Sequence, residues 1–179
     1  MTTQPEIIHL NNLDYLPYLD DNGLLSEELS RKIGVYAIFD QDKNLQFVGY
    51  SRDIYLSLKQ HLVRQPKKCY WLKIQTIARP SRTILENIQQ SWLQEYGITL
   101  SDNNLKEVEW IDPIDTKDLM TEEEKKDYQK ADEMSQIKLL KKIARKFEAQ
   151  LQENLKQRGS QVEIRFNPKL KERGLLDLK

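Results

Sequence analysis

Gly34-Val35-Tyr36-Ala37-Ile38-Phe39, then Asp40-Gln41-Asp42-Lys43-Asn44, then Leu45-Gln46-Phe47-Val48-Gly49-Tyr50 is the stretch whose reading decides the fold. Val35 to Phe39 and Leu45 to Tyr50 are β-branched or aromatic runs, and the polar residues between them are turn formers, so the pair reads as an antiparallel hairpin. An aromatic such as Tyr36 inside a strand is ordinarily a core residue. Cys69, Tyr70, Trp71, Leu72 and Ile74 read as a third strand that buries the single cysteine as an inert thiol. Thr83 to Tyr96 reads as a helix, because Ile84, Leu85, Ile88, Trp92 and Tyr96 recur at helical spacing.

Gly34-Val35-Tyr36 followed by Phe47-Val48-Gly49 resembles the signature of the GIY-YIG nuclease superfamily, over roughly residues 33–104. Within it the wording looks closest to members from photosynthetic organisms, including a nuclease-like domain fused in plants to a plastid monothiol glutaredoxin. The resemblance implies an α+β fold with a small antiparallel three-stranded sheet flanked by helices, followed here by a long C-terminal helix and a short strand and tail. It also implies a site. Tyr36 would orient or deprotonate an attacking water. Glu86, in Leu85-Glu86-Asn87, would hold one Mg2+ or Mn2+, with Asn103 or Asn104 near the metal.

Two expected groups are missing. The family's helical arginine should fall at Ser57, and Phe47 replaces the second motif's tyrosine, keeping a ring without a hydroxyl. An arginine on the reacting phosphate is typically worth roughly 3 kcal/mol or more of transition-state stabilisation. Lys59 points away from Ser57 around the helix, whereas His61 lies one turn along the same face. His61 therefore joins Tyr36 and Glu86 as a candidate catalytic residue, against the plainer reading of a histidine bonded to a backbone carbonyl.

Formal charge sums to zero, yet Lys59 to Arg82 holds seven basic residues and no acidic one. Arg64, Lys67, Lys68, Lys73, Arg79 and Arg82 of this run could face a phosphate backbone, and Arg52, just before it, joins Arg64, Lys67, Lys68 and Lys73 as the candidate nucleic-acid contacts, with water as the bland alternative. No cysteine or histidine cluster spells a metal centre.

Residues 1–32 read as a segment packing on the core, 33–110 as the nuclease-like domain, and 111–179 as an extension. Within the extension, Thr121 and Glu124 form a capping-box pattern, and a polar helix is expected to run to about Arg158 before Gly159, with a break near Met134 as the variant. Unbroken, it would exceed about 50 Å at roughly 1.5 Å per residue. Its narrow seam of Ile137, Leu140, Ala144, Phe147, Leu151 and Leu155 needs a partner, either the leucines of the N-terminal segment (Leu13, Leu16, Leu19, Leu24, Leu25) or another protein. Val108 to Ile114 reads as extended, and Val162, Ile164 and Phe166 as a short strand. The start carries no leader-like pattern and no segment reaches the ~20 apolar residues of a membrane span, so a cytoplasmic protein is expected.

Two functions of different kinds follow. One is a binding module for DNA, RNA or a protein, built on a nuclease scaffold with lost or weak cleavage; the other is an active divalent-metal endonuclease. The losses at Ser57 and Phe47 favour the first.

Overall fold

The fold, described for residues 5–179 of a computed structural model, is built on a four-stranded antiparallel sheet of order β1-β4-β2-β3. The strands are β1 (Leu16–Pro17), β2 (Ile33–Phe39), β3 (Leu45–Ser51) and β4 (Trp71–Ile77). Three of these match the sequence reading. The fourth, β1, is a two-residue edge paired with Trp71 and Leu72, too short to leave a periodic signal. Strand β2 is central, with Tyr36 opposite Gly49 on one side and Ile74 on the other.

Because β2 is covered on both faces, its apolar residues run continuously instead of alternating. On one face Tyr36, Ile38, Phe47 and Leu72 pack under α1 (Ile54–Arg64) through Ile54, Leu58 and Leu62. On the other, Val35, Ala37, Phe39, Val48 and Ile77 pack under α2 (Arg82–Glu95) through Leu85, Ile88 and Trp92. Both helices start at side-chain caps: Asp53 accepts from the Leu56 amide and Ser81 from the Ile84 amide.

After α2 the chain forms α3 (Leu100–Asn104) and α4 (Glu107–Trp110), then β5 (Ile114–Asp115). The extended segment expected from Val108 is therefore helical to Trp110. Thr99 caps α3, accepting from the Asp102 amide, and Trp110 is drawn into the core at 1 % exposure. Tertiary burial of that one indole decides the local conformation.

The capping box at Thr121 and Glu124 is present, but the long helix is two: α5 (Glu122–Lys130) and α6 (Glu133–Gln157). They part at Ala131, and Asp132 caps the second by accepting from the Ser135 amide at 2.8 Å. At 25 residues, α6 spans about 37 Å. Its seam is filled from within. Leu140, Ala144 and Leu155 are buried, Phe147 and Leu151 pack beside them, and Ala144 and Leu155 share one cluster with Tyr18, Leu19, Leu25, Trp110 and Leu176. Leu16 and Leu24 stay about 45 % and 43 % exposed.

The strand expected at Val162 to Phe166 does not form. Phe166 makes a single bridge to Leu178, and α7 (Pro168–Lys171) intervenes before β6 (Leu175–Leu176), which pairs with β5. The N-terminal segment is docked by polar contacts as well: the Tyr18 hydroxyl donates to the Leu58 carbonyl and the Gln161 amide to the Gly23 carbonyl. Segments read as separate pieces thus share one core.

Candidate functional site

Where β3 meets the start of α2, a cleft of about 440 Å³ opens, roofed by α3 and α4. Tyr36, Gly49, Tyr50, Arg82, Glu86 and Asn104 are among its walls. Tyr36 and Glu86, from different elements, therefore face one space. Gly49 makes this possible, since a Cβ there would stand 2.6 Å from the Tyr36 hydroxyl and 2.8 Å from the Phe47 ring.

Behind Tyr36 lies a buried relay. The Tyr36 hydroxyl is 2.7 Å from His61 Nε2, and His61 Nδ1 is 2.7 Å from the Trp110 carbonyl. A carbonyl only accepts, so Nδ1 carries the proton and Nε2 accepts from the tyrosine. Burial holds the imidazole neutral, lowering its pKa from 6.5 to about 4, against the Trp110 carbonyl, which favours the charged form. Burial likewise pushes the Tyr36 phenol well above its ordinary value, opposed by the nearby Ser57 hydroxyl and Arg64 guanidinium. His61 does not line the cleft. It holds Tyr36 from the protein side.

Ser57 and Phe47, where the sequence departs from the pattern it resembles, are structurally occupied. Ser57 donates to the Ser51 hydroxyl at 2.7 Å, and Ser51 to the Asp53 carbonyl at 2.8 Å, a chain with no positive charge. Phe47 stacks on Trp110 at 5.4 Å and 7° and meets the edge of His61 at 5.3 Å.

Asn103 lines the cleft with its amide already bonded. Its amide brackets the edge strand, donating to the Val48 carbonyl at 3.0 Å and accepting the Val48 amide at 3.4 Å, while Gln89 donates to the same carbonyl at 2.9 Å. The pair blunts the open edge of β3. Asn104 is the neighbour left exposed on the cleft wall.

Glu86 is 38 % exposed and accepts from Arg82 Nε at 2.7 Å and from the Tyr50 hydroxyl at 3.3 Å. The Arg82 bond holds its carboxyl below the usual range. Among the described residues, Arg82 is the arginine that lines this cleft; the sequence placed it in the basic run that could face a phosphate backbone but not in an ion pair with Glu86, for which its placement four residues earlier on one helix was the available signal. Tyr50 and Trp110 were missed as well, and a backbone carbonyl such as that of Trp110 leaves no signal at all.

The candidate nucleic-acid residues divide. Arg52 and Lys67 are exposed, and Lys68 lies 3.8 Å from Glu109. Arg64 is turned inward at 4 % exposure, donating to the Trp110 carbonyl at 3.2 Å and pairing with Asp177 at 2.8 Å. Lys73 is buried, donates to the Leu10 carbonyl at 3.0 Å and lies 4.1 Å over the Tyr15 ring. These two are removed from any surface by the fold. Arg52 instead lines a second pocket of about 270 Å³ that shares Tyr50 and Arg82 with the cleft.

Among the described residues, no group of three or more His, Cys, Asp and Glu side chains converges as a metal site. The cleft does offer the hard oxygen donors that Mg2+ accepts beside its waters and substrate phosphates: the Glu86 and Glu107 carboxylates and the Asn104 amide. No helix of the described residues is long and apolar enough to cross a membrane. Cys69 is fully buried, and burial raises its thiol far above the reactive range.

No protein-family model matches the chain. It is 36 % identical over 87 residues to the bifunctional monothiol glutaredoxin-S16, chloroplastic, of Arabidopsis thaliana. That match covers 49 % of this chain and 28 % of the plant protein, so the chain spans little more than a quarter of the relative's length.

Proposed function

We propose that this chain is a module of the GIY-YIG nuclease type that binds nucleic acid through its cleft and has lost most or all of its cutting chemistry. The observation that carries this reading is the uncharged chain at Ser57, which bonds to the Ser51 hydroxyl where the resemblance implies a phosphate-facing arginine. Among the described residues, Arg82 is the guanidinium that lines the cleft, and it rests in a single exposed bond to Glu86. A protein partner for the α6 seam is less favoured, because that seam packs inside the fold. The relative is named a monothiol glutaredoxin, and this chain's only cysteine is buried with its thiol protonated, so redox chemistry is not carried over.

The alternative of a metal-dependent endonuclease is favoured by one observation, that Tyr36, Glu86 and Arg82 line a common cleft. A bound Mg2+ or Mn2+ would supply Lewis-acid charge at the reacting phosphate. Tyr36, its own proton directed to His61, would present oxygen lone pairs to the attacking water. Incubation of supercoiled plasmid with Mg2+ or Mn2+ decides between the two, with Glu86→Ala prepared identically and a labelled oligonucleotide titrated in parallel. Binding with no nicking above the Glu86→Ala background is the expected result. Nicking that vanishes in Glu86→Ala establishes the endonuclease.

A further inference from the structure

Arg82 stands at the wall between two spaces. It lines the cleft with Tyr36 and Glu86, and it lines the adjoining pocket with Arg52, Ser51 and Ser81. Its side chain is 83 % exposed, and it engages Glu86 through Nε alone. A single-point, solvated ion pair of this kind is worth little. A phosphodiester, by contrast, accepts a guanidinium through two parallel hydrogen bonds, and Arg52 adds a second positive charge across the pocket.

We infer that Arg82 is an exchangeable phosphate ligand: a nucleic-acid phosphate lodged where cleft and pocket meet takes its guanidinium from Glu86. This rests on the nucleic-acid reading above and adds the contact residue and its regulation. The exchange leaves Glu86 as a bare carboxylate beside a phosphate, so like-charge repulsion opposes it. A divalent cation bound by the freed carboxylate cancels that repulsion. Glu86 thus makes phosphate binding depend on the cation, and the cation and the strand assist one another by the same factor.

The test is fluorescence anisotropy of a labelled oligonucleotide duplex over a series of NaCl concentrations, in EDTA and then in Mg2+ at matched ionic strength. Wild-type protein, Arg82→Ala, Glu86→Gln, the double variant and the exposed α5 control Lys130→Ala are compared. Arg82→Ala is expected to weaken binding about tenfold and to flatten the salt slope by about one. In EDTA, Glu86→Gln is expected to tighten binding several-fold, a gain that disappears in the double variant. Mg2+ is expected to tighten the wild type and leave Glu86→Gln unmoved. Wild-type binding in which Arg82→Ala behaves like Lys130→Ala, or in which Glu86→Gln binds no tighter, overturns the exchange and leaves the binding reading standing. A wild-type protein that does not bind the duplex overturns the binding reading, and the exchange falls with it. All substituted side chains are exposed or half-exposed, so folding is not at stake; circular dichroism of each variant verifies this.

Discussion

The two sides of Tyr36 are built on opposite principles. On the protein side, the phenol, His61, Phe47 and Trp110 are each no more than 3 % exposed, and both polar groups have their partners. On the cleft side, Glu86 and Arg82 meet in water through one bond. A buried relay of this kind has one arrangement, because any unpaired member would carry a desolvation cost of about 1–3 kcal/mol. The exposed pair has several arrangements of similar energy. Rigidity therefore lies behind the tyrosine, and adaptability in front of it, where a ligand arrives.

The largest test of that contrast is Trp110→Ala. Losing a fully buried indole that stacks on Phe47 should cost about 3–5 kcal/mol in urea-unfolding free energy. A loss below about 1 kcal/mol would show that α4 does not close the core. The same substitution should leave the Arg82–Glu86 pair intact.

His61 supplies a pH signature of nearly the same size. Its folded pKa of about 4 lies below the unfolded value of 6.5, so the unfolded chain binds the extra proton between those limits. Stability should therefore fall as pH drops from about 6.5 to about 4, by roughly 3 kcal/mol, and this contribution should level off below. Replacing the imidazole with phenylalanine should flatten the curve in that window. An unchanged curve would mean that the ring is open to water.

Gly49→Ala probes the seam between the two sides. The added methyl would drive the Tyr36 hydroxyl off its close approach, with an expected cost of about 1–3 kcal/mol and a lowered thermal midpoint. Smallest of all, Glu86→Ala should leave the thermal midpoint unmoved within error, since the pair it breaks is solvated. A clear drop there would place Glu86 among the structural residues and erase the contrast.

Much of this was legible in the chain, for identifiable reasons. The hairpin, the third long strand and α2 follow from apolar period and turn residues, and the capping box at Thr121 announced α5. The pairing of Tyr36 with Glu86 in one cleft was expected from family resemblance, not from period. Arg64 and Lys73 misled because composition records charge but not direction. One turns back onto Asp177 and the other beneath Tyr15. The break at Ala131 was foreseen only approximately, since a helix made of polar residues carries little apolar signal to interrupt.

By itself, the sequence determined the three long strands of the sheet, α2 and the presence of a single cysteine. Those are properties of residue identity and short-range spacing. Only the tertiary structure decided that Trp110 offers its carbonyl to His61, that Asn103 seals the edge of β3, and that α6 buries its seam at home. It also decided that Arg82 is the guanidinium at the cleft. Each of these is a contact between groups distant in sequence or facing a shared cavity, and a backbone carbonyl or an exposed arginine looks the same in a sequence wherever the fold sends it.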